Sequence, residues 1–440
     1  MKRNIAIISI LAVLAVLLMS GCIITPNNNE ADIQQDFTST EYQVVTRVDD
    51  SPDPTGFEKT EAQDAEGSLN LNVAVVAERV LHNDANALKK GTVQPVGEEG
   101  LSSWQLLSDE GQASHDQFAP NPLNYMVAGI ASDLQTQVER GIEIMELDVE
   151  DVKVEAKVFY RYDDFMTDQW SGYTDKAIVN ILIESNESPE NIAELKELAL
   201  SSWAAGEGLV NKTDVFPELL INGEHWDIHY ATNGTVPDPD SVSIDNGQIL
   251  SSKSVLPEVE TFEPGEDLDM SGVATGQVDN FEFVVVAVSE SADDSERPYL
   301  HKVTARSLND NYFAFDLYAD DSYGYEGPDK APTSLDYLTS GTAFCLMSQL
   351  TVNDMYFRDV VIDDYRVEQQ IDYRQEDYMT TDMAGYADTI TSRVIVNSKA
   401  DEEDLNQFFV QSVRCCFAGE AFLNETEVES NIYLNGNIVE

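Results

Sequence analysis

Two stretches of the chain share one pattern and decide the fold: residues 119–134 read APNPLNYMVAGIASDL, and residues 331–346 read APTSLDYLTSGTAFCL. They lie 212 positions apart. In each stretch, apolar residues recur at helical spacing after a proline-containing start, which predicts a largely buried helix of about 20 residues. Matching helices at a fixed distance indicate an internal repeat, and this repeat sets the overall architecture.

The repeat extends on both sides of these helices. Upstream, residues 69–76 match residues 281–288 at the same distance, and downstream matches 213 positions apart continue almost to the C-terminus. A single register that spans most of both halves favours a tandem duplication over chance similarity. The predicted organisation is domain 1 at 67–230, a linker at 231–277 rich in proline, aspartate and serine, and domain 2 at 278–440.

Each half has the same predicted order of elements. Alternating apolar residues indicate strands, followed by a loop rich in glycine, proline and aspartate and then by the long helix. Two long strands, a second helix and a final strand complete the unit. This order predicts the α+β class, with curved antiparallel sheets packed on central helices.

The N-terminus is typical of an exported lipoprotein. Two basic residues precede an apolar run at residues 5–19, which is shorter than the about 20 residues of a membrane span. The run ends in Leu-Met-Ser-Gly-Cys, so residues 1–21 are predicted to be a signal peptide and Cys22 to carry a lipid. An uncleaved signal anchor is the alternative. In both cases we expect an extracytoplasmic protein held at the cell membrane, with residues 22–66 as a tether and N-terminal segment.

The composition is strongly acidic. The 440 residues include 81 Asp and Glu against 25 Lys and Arg, a formal net charge of −56, while 42% of the residues are hydrophobic. This hydrophobic fraction is sufficient for folded cores, so the acidity does not indicate disorder. The charge excludes nucleic acid as an expected partner, because phosphate binding requires clustered basic residues. It also favours a salty environment, where a Debye length of about 3 Å at 1 M salt screens the self-repulsion.

Two motifs of the second half resemble one enzyme family. Residues 326–346 form a Gly/Asp/Pro-rich loop that leads into the long helix with Cys345, and residues 414–420 read RCCFAGE. This arrangement is similar to the OsmC and organic hydroperoxide resistance (Ohr) family, in which a central helix carries a reactive cysteine and a later helix ends at a second one. Members of that family are intertwined dimers with active sites at the subunit interface. The resemblance therefore implies that the two OsmC-like halves form an intrachain pseudo-dimer.

The resemblance implies roles for the three cysteines of the second half. Cys345 would attack the peroxide as a thiolate, and Cys416 would condense with the resulting sulfenic acid to form a disulfide. Cys415 is the alternative to Cys416. The matching positions of the first half are Asp133 and Trp203, so that half would not carry out thiol chemistry.

The resemblance also implies groups that activate the thiol. A thiolate in so acidic a protein requires a nearby cation. The family's arginine on an early strand is matched here by Arg306, with Arg79 of the first half as the alternative. Asp336, on the first turn of the cysteine helix, would orient that arginine. Taken alone, Arg306 also fits an ordinary strand position and Asp336 an ordinary helix start.

The sequence leaves two hypotheses about function open. The first is a thiol-dependent peroxidase that reduces hydroperoxides and is itself re-reduced by an unidentified thiol or dithiol. The second is a non-catalytic binding or structural lipoprotein of the cell envelope, in which Cys345 and Cys416 form a structural disulfide. No cofactor or metal is expected, since His225 and His229 lie in a strand-like context without further ligands.

Overall fold

The computed structural model describes most of both halves of the chain. The described residues are 44–48, 67–79, 88–96, 102–110, 119–163, 170–211, 213–222, 224–226, 252–253, 261–262, 282–292, 297–308, 314–323, 329–356 and 362–439. The predicted signal peptide, Cys22, His229 and most of the predicted tether and linker lie outside them. Among the described residues, no helix is both long enough and apolar enough to cross a membrane. No cluster of His, Cys, Asp and Glu side chains in this part of the chain is arranged to hold a metal ion.

Helices and strands follow the same order in both halves. The described helices are α1 (Pro122–Ile144), α2 (Pro189–Ser202), α3 (Ala204–Val210), α4 (Ser334–Tyr356), α5 (Glu402–Arg414) and α6 (Phe417–Leu423). The strands up to the predicted linker are β1 (Val45–Val48), β2 (Leu69–Asn70), β3 (Val73–Arg79), β4 (Lys89–Pro95), β5 (Ser103–Ser108), β6 (Val149–Asp163), β7 (Ser171–Ser185), β8 (Asp214–Ile221) and β9 (Glu224–Trp226). The remaining strands are β10 (Ser252–Lys253), β11 (Thr261–Phe262), β12 (Glu282–Ser291), β13 (Leu300–Ser307), β14 (Ala314–Asp320), β15 (Ile362–Glu376), β16 (Ala384–Ser398), β17 (Glu427–Leu434) and β18 (Asn437–Val439).

Helix α1 begins where the sequence predicts a helix start. Asn121 is its N-cap and accepts a side-chain hydrogen bond of 2.9 Å from the Asn124 amide. Pro122 follows in the first turn of the helix. Proline is favourable there, because the N–H group that it lacks would have no partner within the helix. Most residues of α1 are buried, including Asp133 and Arg140. A helix buried on several sides needs several packing partners.

Helices α1 and α4 pack on two sheets and on each other. The first sheet has the strand order β10-β1-β5-β4-β3-β15-β16-β8-β9, with β2 beside β15, and the second has the order β11-β14-β13-β12-β6-β7-β17-β18. Helix α4 packs on the first sheet against β3, β4 and β15, whereas α1 packs on the second sheet against β12, β13 and β6. The α+β class predicted from the sequence is confirmed, with α1 and α4 in contact between the two sheets.

The sheets are not wholly antiparallel, which corrects the sequence prediction. Strand β8 runs parallel to β16, and β17 runs parallel to β7. Two helices, rather than a tight turn, precede each of these strands along the chain. A connection of that length allows the chain to enter a sheet in the parallel direction.

Each sheet combines strands from both halves of the chain. The hairpin β15–β16 of the second half lies between β3 and β8 of the first half, and the hairpin β6–β7 lies between β12 and β17. The two hairpins have a register shift at matching places, between Phe159 and Tyr160 and between Asp372 and Tyr373. Within the described residues, neither half therefore completes a sheet from its own strands.

Helices α1 and α4 approach each other closely at two matching glycines. A Cβ atom on Gly129 would lie 2.6 Å from the Ser334 carbonyl oxygen, and one on Gly341 would lie 2.5 Å from the Met126 amide nitrogen. Because real Cβ atoms do not approach backbone atoms so closely, only glycine permits this separation. The crossing brings α4, which carries Cys345, into the middle of the molecule.

Candidate functional site

The thiols of Cys345 and Cys416 are in contact. Cys345 lies midway along α4, and Cys416 is the N-cap of α6, where its Sγ accepts a hydrogen bond of 3.3 Å from the Gly419 amide. The Cys345 thiol lies beside the Cys416 thiol and the Ala418 amide, and both groups affect its pKa. Only 2% of Cys345 and 3% of Cys416 is exposed, and both cysteines are free. Two free thiols in contact are the arrangement from which a disulfide forms once one of them is oxidised.

Electrostatics keep Cys345 protonated. Burial is the largest cause that raises the pKa of the Cys345 thiol well above its ordinary value, and the neighbouring Cys416 raises it further. The Ala418 amide lowers this pKa, whereas the charge of Glu110 raises it. Near neutral pH, the Cys345 thiol is therefore protonated.

Cys415 lies next to Cys416 in the chain but has different surroundings. It is the C-cap of α5, and its thiol donates to the Trp170 carbonyl oxygen at 3.4 Å. Gln411 Nε2 donates to the Cys415 sulfur at 3.1 Å. Burial raises the pKa of Cys415 to about 12, against the opposing effects of Gln411 and Arg414. Cys415 is therefore neutral near pH 7 and engaged with the backbone of Trp170.

Asp336 caps helix α4. Its Oδ2 accepts a hydrogen bond of 2.8 Å from the Thr333 amide, and Thr333 Oγ1 accepts one of 3.0 Å from the Asp336 amide, a reciprocal capping arrangement. Burial raises the pKa of Asp336 to about 8, although the hydrogen bonds to Thr333 lower it. Asp336 precedes Cys345 by nine residues, which is about 13 Å along the helix. Its observed role is therefore at the helix start and not at the thiol.

The structure does not bring Arg306 to Cys345. Arg306 lies on β13 of the second sheet, where it pairs with Val286, whereas Cys345 lies on the helix that packs on the first sheet. The neighbouring Ala305 is fully buried in the core, so Arg306 is directed to the opposite face of its sheet. This corrects the expectation that Arg306, oriented by Asp336, activates the Cys345 thiol.

The alternative arginine also has other partners. Arg79, at the end of β3, lies 3.7 Å from the Asp354 carboxylate and stacks on the Tyr365 ring at 4.9 Å. Asp354 follows Cys345 by nine residues on α4, again about 13 Å along the helix. Arg79 therefore ties β3 to the C-terminal end of α4.

An ion pair between a buried lysine and a partly exposed glutamate, which sequence reasoning missed, lies one helical turn from Cys345. Lys89 on β4 is fully buried, and its Nζ lies 3.1 Å from a carboxylate oxygen of Glu110. The same oxygen accepts a hydrogen bond from Ser348 Oγ, three residues after Cys345 on α4. Strand alternation places Lys89 on the helix-facing side of β4 together with Gly91, and this pattern could have identified it.

A small apolar cavity lies beside Cys416. Its volume is about 40 Å³, several times the about 10–15 Å³ that one water molecule requires. Six apolar side chains line it: Leu346, Ile390, Val394, Phe409, Val413 and Leu423. Cys416 and Gln369 also belong to the lining, whereas Cys345 does not. Gln369 Oε1 accepts a hydrogen bond from Ser392 Oγ, while its Nε2 is buried without a hydrogen-bond partner among the described residues.

The first half has a carboxylate where the second half has the helical thiol. Asp133 Oδ2 accepts a hydrogen bond of 2.9 Å from the Ala205 amide, and Oδ1 accepts one of 2.8 Å from Gln137. Burial is the main cause that raises the pKa of Asp133 to about 7, and the charge of Asp321 adds to it. A carboxyl group thus holds the backbone amide that corresponds to the Ala418 amide beside Cys345.

Trp203 fills the space next to Asp133. Its indole Nε1 donates to the Ile130 carbonyl oxygen at 3.2 Å, and a Cβ atom on Gly206 would lie 1.9 Å from its ring. Trp203 precedes Cys416 by 213 residues. In the described part of the chain, the first half therefore has a carboxylate and an indole in place of the two thiols.

A buried arginine lies close to Asp133 on the same helix. The Arg140 guanidinium lies over the rings of three tyrosines, at 5.2 to 5.5 Å from their centroids: Tyr299, Tyr323 and Tyr378. Its Nη1 donates to Gln375 Oε1 at 3.0 Å. The charge of Arg140 lowers the pKa of Asp133, against the larger effect of burial. Cation–π contacts and hydrogen bonds thus compensate for the burial of this charge.

Comparison with known proteins yields a distant likeness. No family model matches the chain, and no curated protein matches it. A solved structure of an OsmC-like hydroperoxide resistance protein from Jannaschia sp. CCS1 is similar to the chain, with 14% sequence identity and a TM-score of 0.23. The similarity covers 32% of this chain and 88% of that chain. At this identity and TM-score, the likeness establishes neither the fold nor the function.

Proposed function

We propose that the chain is an extracytoplasmic, lipid-anchored, thiol-dependent peroxidase that reduces hydroperoxides through Cys345 and Cys416. The contact between these two free thiols is the observation that carries the proposal. Oxidation of one thiol to a sulfenic acid places that group against the other thiol, and their condensation to a disulfide releases water. Each cycle thus converts one hydroperoxide to an alcohol and water and oxidises two thiols to one disulfide. An external thiol or dithiol must reduce this disulfide again.

The cavity beside Cys416 favours an organic hydroperoxide over hydrogen peroxide as the substrate. Its walls are aliphatic and aromatic except for a few polar groups, and its volume exceeds that of a water molecule. An apolar substituent gains free energy when it leaves water for such a space. Hydrogen peroxide carries no apolar substituent that would gain free energy in this cavity.

We also propose that the two halves arose by tandem duplication and are arranged as an intrachain pseudo-dimer of OsmC type. The long hairpin of each half pairs with strands of the other half, and this exchange supports the pseudo-dimer. Residues 212 positions apart also meet each other directly. The rings of Tyr125 and Tyr337 stack with centroids 5.7 Å apart and an interplanar angle of 12°, as expected for matching residues beside a twofold axis.

A structural role for the cysteine pair is the second candidate function. The near-complete burial of Cys345 and its raised pKa favour an inert thiol. In an oxidising compartment such a pair would be held as a permanent disulfide. The chain would then be a non-catalytic binding or structural lipoprotein of the cell envelope.

Titration of the reduced chain with cumene hydroperoxide separates the two functions. A peroxidase loses two thiols for each peroxide consumed, and dithiothreitol restores both thiols and the activity. The variant Cys345→Ser abolishes turnover, whereas Cys415→Ser, the matched control, retains it. A purified chain whose Cys345–Cys416 disulfide resists dithiothreitol, and which consumes no peroxide, would instead have the structural role.

A further inference from the structure

We infer that Cys416, and not Cys345, is the thiol that attacks the hydroperoxide, and that the Gln369 amide binds the peroxide group in the cavity beside it. The inference rests on the proposed peroxidase function and reverses the order of the two cysteines that the family resemblance implies. Cys345 then acts as the resolving thiol.

The position of the cavity is the first argument. Cys416 and Gln369 line it and Cys345 does not, so a substrate bound there meets the Cys416 sulfur. Gln369 is 1% exposed, and its Nε2 has no hydrogen-bond partner among the described residues, although a buried amide donor without a partner is unfavourable. Its Oε1 is fixed by Ser392, which leaves Nε2 as the free donor. A peroxide oxygen is an acceptor of the required kind.

The surroundings of the Cys416 sulfur are the second argument. Cys416 lies between the Cys345 thiol and the cavity, which it lines. Cys416 also accepts the Gly419 amide at 3.3 Å. Gly419 lines the same cavity, so its amide holds the Cys416 sulfur where a bound peroxide would meet it.

The corresponding place in the first half is the third argument. There Trp203 replaces Cys416, and Ala156, which precedes Gln369 by 213 residues, is a fully buried part of the apolar core. The half without thiols therefore has an indole and a methyl group where the half with thiols has a sulfur and an amide. The buried amide is thus found in the half that has the cysteine and is replaced in the other half, as expected for a group that binds the substrate of that cysteine.

The reaction balances with the groups present. The Cys416 thiolate attacks the terminal oxygen of the hydroperoxide, so that an S–O bond forms, the O–O bond breaks and the alkoxide leaves as an alcohol after it takes up the proton of Cys345. Cys416 is oxidised to the sulfenic acid and the peroxide is reduced. The Cys345 thiolate then attacks the Cys416 sulfur, the S–S bond forms, and hydroxide leaves as water with a proton from solvent. The external thiol already required for turnover reduces the disulfide.

Trapping of the sulfenic acid tests the order of the two thiols. The full chain carrying Cys415→Ser, which removes the neighbouring thiol, is combined with Cys345→Ser or with Cys416→Ser and treated with cumene hydroperoxide and dimedone. We expect peptide mass spectrometry to find the dimedone adduct on Cys416 in the Cys345→Ser chain and none on Cys345 in the Cys416→Ser chain. The opposite distribution would overturn the inference and leave the peroxidase intact. No adduct in either chain, with no peroxide consumed by the wild type, would overturn both.

The role of the Gln369 amide is tested by the rate of Cys416 oxidation in a chain that carries both Cys345→Ser and Cys415→Ser. Gln369→Leu should slow that rate by about tenfold with cumene hydroperoxide, since one hydrogen bond contributes roughly that factor. The matched control is Gln370→Leu, which removes a buried amide from the opposite face of β15 and should leave the rate unchanged. Circular dichroism establishes that both variants are folded. Equal rates for the Gln369→Leu chain and its parent would overturn the role of Gln369.

Discussion

The Asp133 carboxylate accepts a hydrogen bond of 2.9 Å from the Ala205 amide, and the corresponding Ala418 amide lies beside the Cys345 sulfur, whose pKa it lowers. The two halves thus make one backbone contact with two different side chains. In the first half this contact satisfies a buried N–H, so it is useful to the fold without a thiol. A thiol at this position could also undergo oxidation, whereas a carboxylate could not.

Asp133 should make stability depend on pH. Its pKa is about 7 in the folded chain against an ordinary value of 3.8, so the folded state holds a proton that the unfolded state releases. The free energy of unfolding therefore falls as the pH rises from about 4 to 7. Asp133→Asn cannot ionise, so its stability relative to the wild type should be about 2 kcal/mol more favourable at pH 8 than at pH 5.

Urea denaturation at the two pH values measures this difference. Glu187→Gln is the control, because the hydrogen bond from the Asp148 amide lowers the pKa of Glu187 and the group stays ionised at both pH values. Its effect should be the same at pH 5 and pH 8. A pH-independent effect of Asp133→Asn would show that Asp133 does not titrate in this range.

The helix crossing should not tolerate a methyl group. Gly129→Ala places a Cβ atom 2.6 Å from the Ser334 carbonyl oxygen and forces α1 and α4 apart, which should cost about 2 kcal/mol of unfolding free energy. In Gly419→Ala the Cβ atom would lie 3.4 Å from Cys416 Sγ, an ordinary contact, so this control should be neutral or slightly stabilising. Equal stability of the two variants in urea would contradict the close crossing.

The exchange of strands explains how far the sequence could predict the fold. Periodicity and repeat matching predicted the order of elements and the long helices, because these patterns are local in the chain. Pairing between hairpins and strands of different halves depends on contacts across more than a hundred residues, which no local pattern encodes. The parallel pairs β8–β16 and β7–β17 were missed for the same reason.

The exchange of strands between the two halves also explains which candidate site residues could be singled out from the sequence. Cys345 and Cys416 were identified because each lies in a motif on its own helix. Arg306 was placed wrongly because the sequence does not show that its strand packs beside α1, while the strand of Lys89 packs beside α4. The ion pair of Lys89 and Glu110 lies within the first half and reaches the helix of Cys345 through Ser348, a contact for which strand alternation was the one local signal.

The second half alone should not behave as a folded monomer. A fragment of residues 278–440 retains the hairpin β15–β16 but lacks its neighbours β3 and β8. We expect the fragment to dimerise, with each copy supplying the missing strands, or to remain unfolded. Light scattering coupled to gel filtration measures its mass. A monomer with cooperative unfolding would contradict the interdependence of the halves.

The ion pair beside Cys345 should tune the reactivity of that thiol in two directions. Glu110→Gln removes a charge that raises the pKa of Cys345, so alkylation of Cys345 by iodoacetamide should become faster. Lys89→Met leaves the Glu110 charge uncompensated, so alkylation should become slower. Quantitative peptide mapping at pH 8 to 9 measures both rates. Shifts of the same sign in the two variants would contradict an electrostatic origin.

The most direct test of the proposed function is to add one equivalent of cumene hydroperoxide to the fully reduced chain and map its cysteines by mass spectrometry. The proposal predicts rapid loss of two thiols, a disulfide between Cys345 and Cys416, and one molecule of alcohol formed for each disulfide. Survival of both thiols while the peroxide persists would contradict it.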